Sequence, residues 1–230
     1  MTIQQPSLSV IIPVWNEASQ LPATLTAIAA DATVEIIVVD AGSQDDSVQI
    51  AKQFGARVLH SWPGRARQLN AGAAIAQGTL LLFLHADTQV PPDYATQVAQ
   101  ILSQPGVAAG AFRLYITGTQ AGLRWVEWGV YWRSRVCQLP YGDQGIFLAA
   151  HTFHSLAGFP ELPILEDFVL VQRLKQQGRV AIAPASVLTS GRRWQRLGVI
   201  KTTLINQLIL LGYGLGVSPQ RLAGWYRHLK

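Results

Sequence analysis

Two potential metal ligands, His85 and Asp87, directly follow an unbroken apolar run at residues 80–84. Such a run is typical of a strand that is buried on both faces of a parallel sheet. If the extended geometry persists, residues two apart point to the same side, so both side chains face one ligand. Ligands of open α/β sheets bind just outside the carboxyl ends of the strands. The candidate site is therefore the space beside Asp87, although a helix-capping aspartate and a half-buried histidine are the plain alternative.

Acidic residues also follow the two predicted strands that precede this one, Glu17 after the first and Asp40 after the second. An acid at the second strand end suits hydrogen bonding to the base or ribose of a nucleotide. Gly42 and Ser43 allow the backbone to approach a ligand, and the helix that follows offers free N–H groups to an anion. No G-x-G-x-x-G or P-loop sequence is present, which argues against dinucleotide binding of the usual kind and against a P-loop NTPase.

Two arginines, Arg65 and Arg67, precede the central strand at the start of a predicted helix. A guanidinium group is well shaped for two-point contact with phosphate. Cations are unfavourable at a helix start, and a bound anion would remove that penalty. A pair of exposed arginines with no ligand is the alternative.

Seven strands and the helices between them are needed to position these residues. Strands are predicted at residues 7–14, 34–39, 57–60, 80–84, 110–116, 145–150 and 180–183. Helices are predicted from about residue 21, and at 45–54, 64–77, 91–102, 123–136 and 165–176. The alternation in the first half predicts an α/β fold with a mostly parallel, Rossmann-like sheet and right-handed crossovers.

Composition favours a single domain with an intracellular location. The 230 residues are 49% hydrophobic and only 13% charged, which is more apolar than an average soluble enzyme. The single cysteine, Cys137, excludes an internal disulfide and a zinc site built on several thiolates. The first residues lack a basic region followed by an apolar one, so we expect no signal peptide and a cytoplasmic protein.

The charge is divided unevenly along the chain. Residues 1–167 hold all 13 acidic residues, whereas residues 168–230 hold 10 of the 18 basic residues and no acid. This asymmetry suggests an anionic partner such as a diphosphate, a nucleic acid or an acidic membrane face, or else a solvated surface. Within it lies a one-sided apolar stripe: Leu197, Ile200, Leu204, Leu208 and Leu211. We predict an amphipathic helix that lies on the cytoplasmic membrane face or packs on the domain, rather than one that spans.

Four motifs in order resemble those of family 2 glycosyltransferases with the GT-A fold: PVWNE at 13–17, VDAGSQD at 39–45, HAD at 85–87 and ED at 166–167. The resemblance covers residues 7–194, so we predict a GT-A domain at 1–194 and a helical extension at 195–230. The GRARQLN segment, the histidine of HAD and the YGDQG segment are most similar to a small bacterial branch associated with arsenosugar biosynthesis.

The resemblance implies a role for each matching residue. Asp87, with His85, would bind Mg²⁺ or Mn²⁺ on the diphosphate of a nucleotide-sugar donor, with a UDP-sugar favoured. His85 replaces the first acid of the family's D-x-D motif, and Ala41 replaces an acid that is common after Asp40. Asp167, beside Glu166, matches the catalytic base. Together with the strand-end residues, the donor-binding candidates are Pro13, Trp15, Glu17, Asp40, Gly42, Ser43, Arg65, Arg67, Asn70, His85 and Arg193.

The acceptor side is less sharply indicated. Asp143, Gln144 and Trp194 are candidate contacts, and Ser190 stands where processive relatives carry glutamine, which argues against processive synthesis. The aromatic residues of the predicted helix at 123–136 form either an acceptor wall or, as we expect, part of the core: Trp125, Trp128, Tyr131 and Trp132.

The chemistry that these residues would perform is sugar transfer. The leaving diphosphate needs positive charge, and the acceptor hydroxyl needs a base. No second carboxylate is reserved as a nucleophile, so we expect a single displacement with inversion. Two alternatives are a sugar-nucleotide nucleotidyltransferase, which would need a glycine-rich basic turn after the first strand, and a nucleic-acid-binding protein, for which no module is present. We therefore expect no nucleic-acid partner.

Overall fold

An eight-stranded mixed sheet forms the centre of the computed structural model, which describes residues 7–229. The strands are β1 (Leu8–Val14), β2 (Glu35–Asp40), β3 (Arg57–His60), β4 (Leu80–Phe83), β5 (Thr88–Gln89), β6 (Val107–Ile116), β7 (Ile146–Ala149) and β8 (Arg179–Thr189). Their order across the sheet is β3-β2-β1-β4-β7-β6-β8-β5. Four of the seven pairings are parallel, so the predicted α/β fold with a mostly parallel sheet is confirmed.

Ten helices lie within residues 7–229. They are α1 (Leu21–Ala29), α2 (Ser47–Gln53), α3 (Arg65–Ile75), α4 (Tyr94–Leu102), α5 (Leu123–Val136), α6 (Ala150–Ser155), α7 (Glu166–Gln177), α8 (Arg192–Leu197), α9 (Val199–Gly214) and α10 (Pro219–Leu229). The predicted helices of the first 177 residues are confirmed to within a few residues at their ends, and α6 is additional.

The four parallel strands carry the first half of the site because their carboxyl ends share one edge. Val14 lies opposite Asp40 in the β1–β2 ladder, and Ile11 lies opposite Phe83 in the β1–β4 ladder. Successive residues of β1 alternate between the two faces, with Val10 and Ile12 in one apolar core and Ile11 in the other. Helices cover both faces, which is why these strands are apolar throughout.

The second half of the sheet differs from the prediction. β7 runs antiparallel to both β4 and β6, and β8 extends to Thr189 where a strand ending at Ala183 was predicted. The reason is pairing: β8 runs beside the whole of β6, through two irregularities in register that apolar periodicity does not reveal. The edge strand β5 has only two residues, and its pairing with β8 was not predicted.

The C-terminal region forms three helices where one amphipathic helix was predicted. The face of α9 that contains Ile205 and Ile209 is buried against Leu222 of α10, whereas Ile200 and Leu204 of the predicted stripe are exposed. Of the two predicted arrangements, packing of this stripe on the domain is therefore wrong, because a second apolar face of α9 makes the contacts, and its position on a membrane stays a prediction. Within residues 7–229, the structure contains no helix of the length and apolarity that a membrane crossing requires.

Candidate active site

The loops after β1 and β2 are joined by side-chain hydrogen bonds. The Asn16 side-chain oxygen accepts a hydrogen bond from the Gln44 backbone N–H (2.8 Å), and the Ser43 hydroxyl accepts one from the Asn16 N–H (2.9 Å). Asp45 accepts a further bond from the Ala18 N–H at 3.0 Å. Sequence reasoning did not single out Asn16 or Asp45. The sequence does show that both loops are polar turns, but this composition does not reveal which side chains pair with each other.

Asp40 organises the second of these loops. Its carboxylate accepts hydrogen bonds from the N–H groups of Gly42 (2.9 Å) and Ser43 (3.1 Å), and His60 Nδ1 lies 3.3 Å away. The residue is only 1% exposed. The Asp40 carboxylate therefore already has partners within its own loop, and its contact with a nucleotide base stays a prediction. Exposed backbone at Gly42, with φ +88°, is what the loop presents instead.

Glu17 and Asp87 share one arginine. Nη2 of Arg192 lies 2.8 Å from a Glu17 oxygen and 3.3 Å from an Asp87 oxygen. Arg193, which was the predicted donor ligand, instead donates to the Asn206 side chain (3.1 Å) and lies over the Tyr226 ring. Adjacent residues at a helix start project about 100° apart, so the sequence could not reveal which arginine faces the site.

The segment from His85 to Thr88 is a turn. β4 ends at Phe83, and the Thr88 N–H donates to the His85 carbonyl at 3.2 Å. The prediction that strand geometry persists through Asp87 is therefore wrong, and the two side chains do not point the same way by strand alternation. Nε2 of His85 is buried with no hydrogen-bond partner among the described residues. Burial, and then the charge of Arg65, lower the pKa of His85 to about 4, so the imidazole is neutral at pH 7.

A second group of charges lies at the start of α7. Arg65 donates to buried Glu166 at 3.1 Å, and the Gly142 N–H donates to Asp167 Oδ2 at 2.6 Å. Burial raises the pKa of Glu166, and the Arg65 guanidinium opposes that shift. A small cavity separates β4 from this helix start, and its polar lining is Arg65, His85, Gly142, Glu166 and Asp167.

His85 connects the two groups of charges. Its imidazole lines the small cavity together with Asp167, beside Gly142, and Asp87 follows it two residues later. The structure therefore brings the predicted residues at 85, 87, 166 and 167 to one edge of the sheet. It brings Glu17 and Arg65 there as well.

Two of the predicted acceptor contacts are structural. Gln144 is fully buried, and its oxygen accepts bonds from Ser134 (2.9 Å) and Arg133 (3.1 Å) while its nitrogen donates to the Phe112 carbonyl (2.9 Å). Trp194 packs on the main core. Both were predicted to contact the acceptor. They differ from that prediction because the polar atoms of Gln144 are already hydrogen-bonded and the ring of Trp194 is packed against the core.

Asp143 keeps an unpaired oxygen near the cavity. Its Oδ1 is buried without a hydrogen-bond partner among the described residues. Burial raises the pKa of the Asp143 carboxyl to about 6, against the opposing charge of Arg133. Asp143 therefore stays a candidate contact for a polar ligand atom.

The remaining predicted residues lie at the margin of the site. Arg67 pairs with exposed Glu161 at 3.0 Å. Asn70 exchanges two hydrogen bonds with the Phe159 backbone, so its side chain fixes that loop and has no free polar atom. Pro13 lies within β1, and Trp15 follows that strand with 65% of its surface exposed.

The tryptophans of α5 do not belong to the core. Trp125 is 74% exposed and Trp128 is 60% exposed, and Trp132 is exposed as well. The preferred interpretation of core packing is therefore wrong. The inward face of α5 is provided instead by Val126 and Val130.

The fit of a divalent metal can be tested on these residues. Residues 7–229 contain no group of three or more histidine, cysteine or acidic side chains that could enclose an ion. Glu17 and Asp87 nevertheless already hold one cation together, the Arg192 guanidinium. Mg²⁺ commonly binds through one or two carboxylates, retained waters and substrate phosphates. The residues present therefore fit a metal that arrives with a diphosphate.

Curated relatives match slightly less than half of the chain. An undecaprenyl-phosphate 4-deoxy-4-formamido-L-arabinose transferase of Pseudomonas syringae pv. syringae is 32% identical over 119 residues, which cover 46% of this chain and 35% of the relative. A PGL/p-HBAD biosynthesis glycosyltransferase of Mycobacterium bovis is 37% identical over 109 residues, covering 43% of each chain. The matched stretch thus spans less than half the length of either relative.

Solved structures share the fold. A mannosyltransferase of Pyrobaculum calidifontis, in complex with GDP-Man and Mn²⁺, superposes with a TM-score of 0.68 over 99% of this chain and 70% of its own, at 19% identity. TarS of S. aureus in complex with UDP gives 0.65 over 80% and 60%, at 16% identity. These likenesses establish the GT-A fold. The family model described as Glycosyl transferase family 2 matches residues 9–158, about two thirds of the chain, and the chain therefore belongs to glycosyl transferase family 2.

Proposed function

We propose that this protein transfers a sugar from a nucleotide-diphosphate donor to an acceptor hydroxyl, with inversion and with the help of a divalent metal. One observation carries the proposal: His85 and Asp167 line one cavity, Asp167 is oriented by a backbone N–H, and His85 is followed two residues later by Asp87, which belongs to a cation-holding pair. A cation holder and a fixed carboxylate at one sheet edge are the two requirements of this reaction. Family membership favours it over nucleotidyl transfer and over nucleic-acid binding.

The donor would bind at Glu17, Asp87 and Arg192. A nucleoside diphosphate departs with developing negative charge, and preorganised positive charge lowers the barrier to its departure. Mg²⁺ or Mn²⁺ bound through Asp87 supplies part of that charge as a Lewis acid. Arg192 would leave its carboxylate partners and pair with the diphosphate, because arginine binds phosphate oxygens in two-point contact. The exposed backbone at Gly42 is available to the nucleotide.

The acceptor would bind on the Asp167 side. The Gly142 N–H holds one oxygen of this carboxylate in a fixed orientation. A carboxylate so placed removes the hydroxyl proton as the acceptor oxygen attacks the sugar carbon and the bond to the diphosphate breaks. Neighbouring Glu166 is occupied by Arg65 and is buried, so its role is to position the helix start. Neutral His85 separates the donor side from the acceptor side.

For the two substrates, we propose the chemical class of the donor and the location of the acceptor. Solved neighbours carry UDP and GDP-Man, which supports a nucleotide-sugar donor, and a UDP-sugar is the first choice. Relatives named as undecaprenyl-phosphate sugar transferases support an acceptor at a membrane. We propose action at the cytoplasmic membrane face. The assignment to the arsenosugar-associated branch stays a prediction, as does the division after residue 194, which falls inside α8.

The test separates donor binding from transfer. UDP, UDP-GlcNAc and GDP-mannose, each with and without Mn²⁺, are screened for an increase in melting temperature, since ligands that bind the native state stabilise it. Slow donor hydrolysis is then measured as nucleoside diphosphate release. Asp167→Asn is expected to keep the thermal shift and to lose release by about 100-fold or more, the scale of general base catalysis.

Asp93→Asn is the matched control, because Asp93 is an exposed acid before α4 and outside the site. It should behave as the wild type in both assays. Undiminished release by Asp167→Asn would exclude this residue as the base. No thermal shift with any nucleotide, with or without metal, would overturn the proposed function itself.

A further inference from the structure

Helix α9 is apolar on two opposite faces. Its inward face, which includes Ile205, Ile209 and Gly212, packs on Leu222 of α10. Five large aliphatic residues on the other side are 44–77% exposed: Ile200, Leu204, Leu208, Leu211 and Leu215. Their spacing of three or four residues places them in one stripe along the helix. A helix that is apolar all round is normally covered on every side, so the outer stripe of α9 lacks a cover.

Helix α5 presents a second exposed apolar stripe. Trp125, Trp128 and Trp132 are spaced by three and four residues, and adjacent rings meet edge to face with centroids 6.3 Å apart. Val136 continues the stripe and is also exposed. The acid on this helix, Glu127, is already paired with Arg124 at 2.9 Å. The exposed side of α5 is therefore large, aromatic and without an unpaired acid.

The two stripes lie on neighbouring helices that flank the acceptor side of the site. At their starts, a side chain on Gly122 of α5 would collide with Val199 of α9. Near their ends, a chain of contacts links them: Arg133 lies over Tyr141, Tyr141 meets Phe168, and Phe168 meets Tyr213 of α9. Phe168 directly follows Asp167. We call the exposed residues of both helices the α5–α9 surface.

The charges around this surface are positive. No acid occurs in residues 168–230. Three cations on these two helices or directly before α9 are exposed: Arg135, Arg196 and Lys201. Tryptophan next to aliphatic side chains, bordered by lysine and arginine, is the composition of segments that lie at a membrane interface. Basic residues at such a surface are attracted to anionic headgroups.

We propose that the α5–α9 surface docks on an anionic phospholipid membrane. Docking there would hold the acceptor side of the site, next to Phe168, at the lipid surface. A membrane is favoured over a protein partner for two reasons. The positive charges complement an anionic leaflet, and the aliphatic stripe of α9 carries no polar groups that a protein could recognise by hydrogen bonding. Lipid binding itself does not depend on sugar transfer. Only its use, the presentation of a membrane-held acceptor, rests on the proposed function.

The test is flotation of the full chain with vesicles of about 30% phosphatidylglycerol in phosphatidylcholine, and with pure phosphatidylcholine. The wild type should float with the anionic vesicles and bind the neutral ones about tenfold less. Leu204→Gln with Leu208→Gln, and separately Trp128→Ser, should each reduce anionic binding about tenfold. Trp62→Ser is the control, since Trp62 is an even more exposed tryptophan outside the surface and its loss should not change vesicle binding.

Each outcome decides the matter. Failure of the wild type to float, or flotation of both stripe variants as complete as that of the wild type, would overturn the proposal. A dimer in solution that the Leu204 and Leu208 substitutions dissociate, without vesicle binding, would assign the surface to a second copy of the chain. Every variant is also screened for its thermal shift with UDP and Mn²⁺. A retained shift shows that the fold and the donor site are intact, which keeps this test separate from that of the proposed function.

Discussion

The carboxyl of Asp143 should make a contribution to the stability of this protein that falls as the pH rises, whereas the lowered pKa of His85 acts in the opposite direction. Burial raises the pKa of Asp143 from 3.8 to about 6. The folded state therefore binds a proton more tightly than the unfolded state does, and stability is lost between these two values. At 1.36 kcal/mol per pKa unit, ionisation costs about 3 kcal/mol above pH 7. Asp143→Asn keeps the shape and removes the ionisation.

The measurement is urea unfolding of the wild type and of Asp143→Asn at pH 4 and pH 7.5. The difference in unfolding free energy between the variant and the wild type should be about 2 kcal/mol more favourable to the variant at pH 7.5 than at pH 4. This value is below the full 3 kcal/mol because a minor part of the ionisation cost already applies at pH 4. Asp46→Asn is the control, since Asp46 is an exposed residue before α2. A pH dependence of Asp143→Asn identical to that of the wild type would refute the argument from burial.

Two further substitutions test the site and its support. Arg192→Ala frees the carboxylates of Glu17 and Asp87, so calorimetry should detect tighter binding of Mn²⁺ in the absence of nucleotide. The same variant should bind UDP about tenfold more weakly, as expected for the loss of one charge-assisted hydrogen bond. No change in either affinity would contradict the role given to Arg192. Gln144→Leu removes one hydrogen-bond partner from each of four groups, the Ser134 hydroxyl, the Arg133 guanidinium, the Tyr141 N–H and the Phe112 carbonyl, and should cost about 3 kcal/mol in urea unfolding. Gln49→Leu, at an exposed position of α2, should change stability by less than about 0.5 kcal/mol, and equal effects of the two glutamine substitutions would contradict the buried network.

The first half of the fold was predictable because its signals are local. Parallel strands buried on both faces must be apolar throughout, so β1, β2 and β4 stand out in the sequence. Polar residues at their carboxyl ends then had to meet at one edge, which predicted that Glu17 and Asp87 lie together. The second half was less predictable because β8 is defined by its pairing with β6, and pairing over long range leaves no local period.

Several predicted site residues already have hydrogen-bond partners within the fold, and these partners compete with a ligand for their polar atoms. Asp40 was expected to meet a nucleotide, but the N–H groups of its own loop occupy it. Asn70 is occupied in the same way by the Phe159 backbone. The residue types and their positions suit a ligand equally well. Only the packed structure decides whether a side chain is free to bind one.

By itself, the sequence determined the α/β class, the edge at which the acidic residues meet and the order of the family's motifs, since periodicity and strand ends are written in adjacent residues. The tertiary structure decided that Arg192 rather than Arg193 faces Asp87, because that choice depends on how α8 begins after β8. It also decided that the aliphatic stripe of α9 faces outward with the tryptophans of α5. The sequence marks a face as apolar, but which apolar face is buried depends on the surfaces available to cover it.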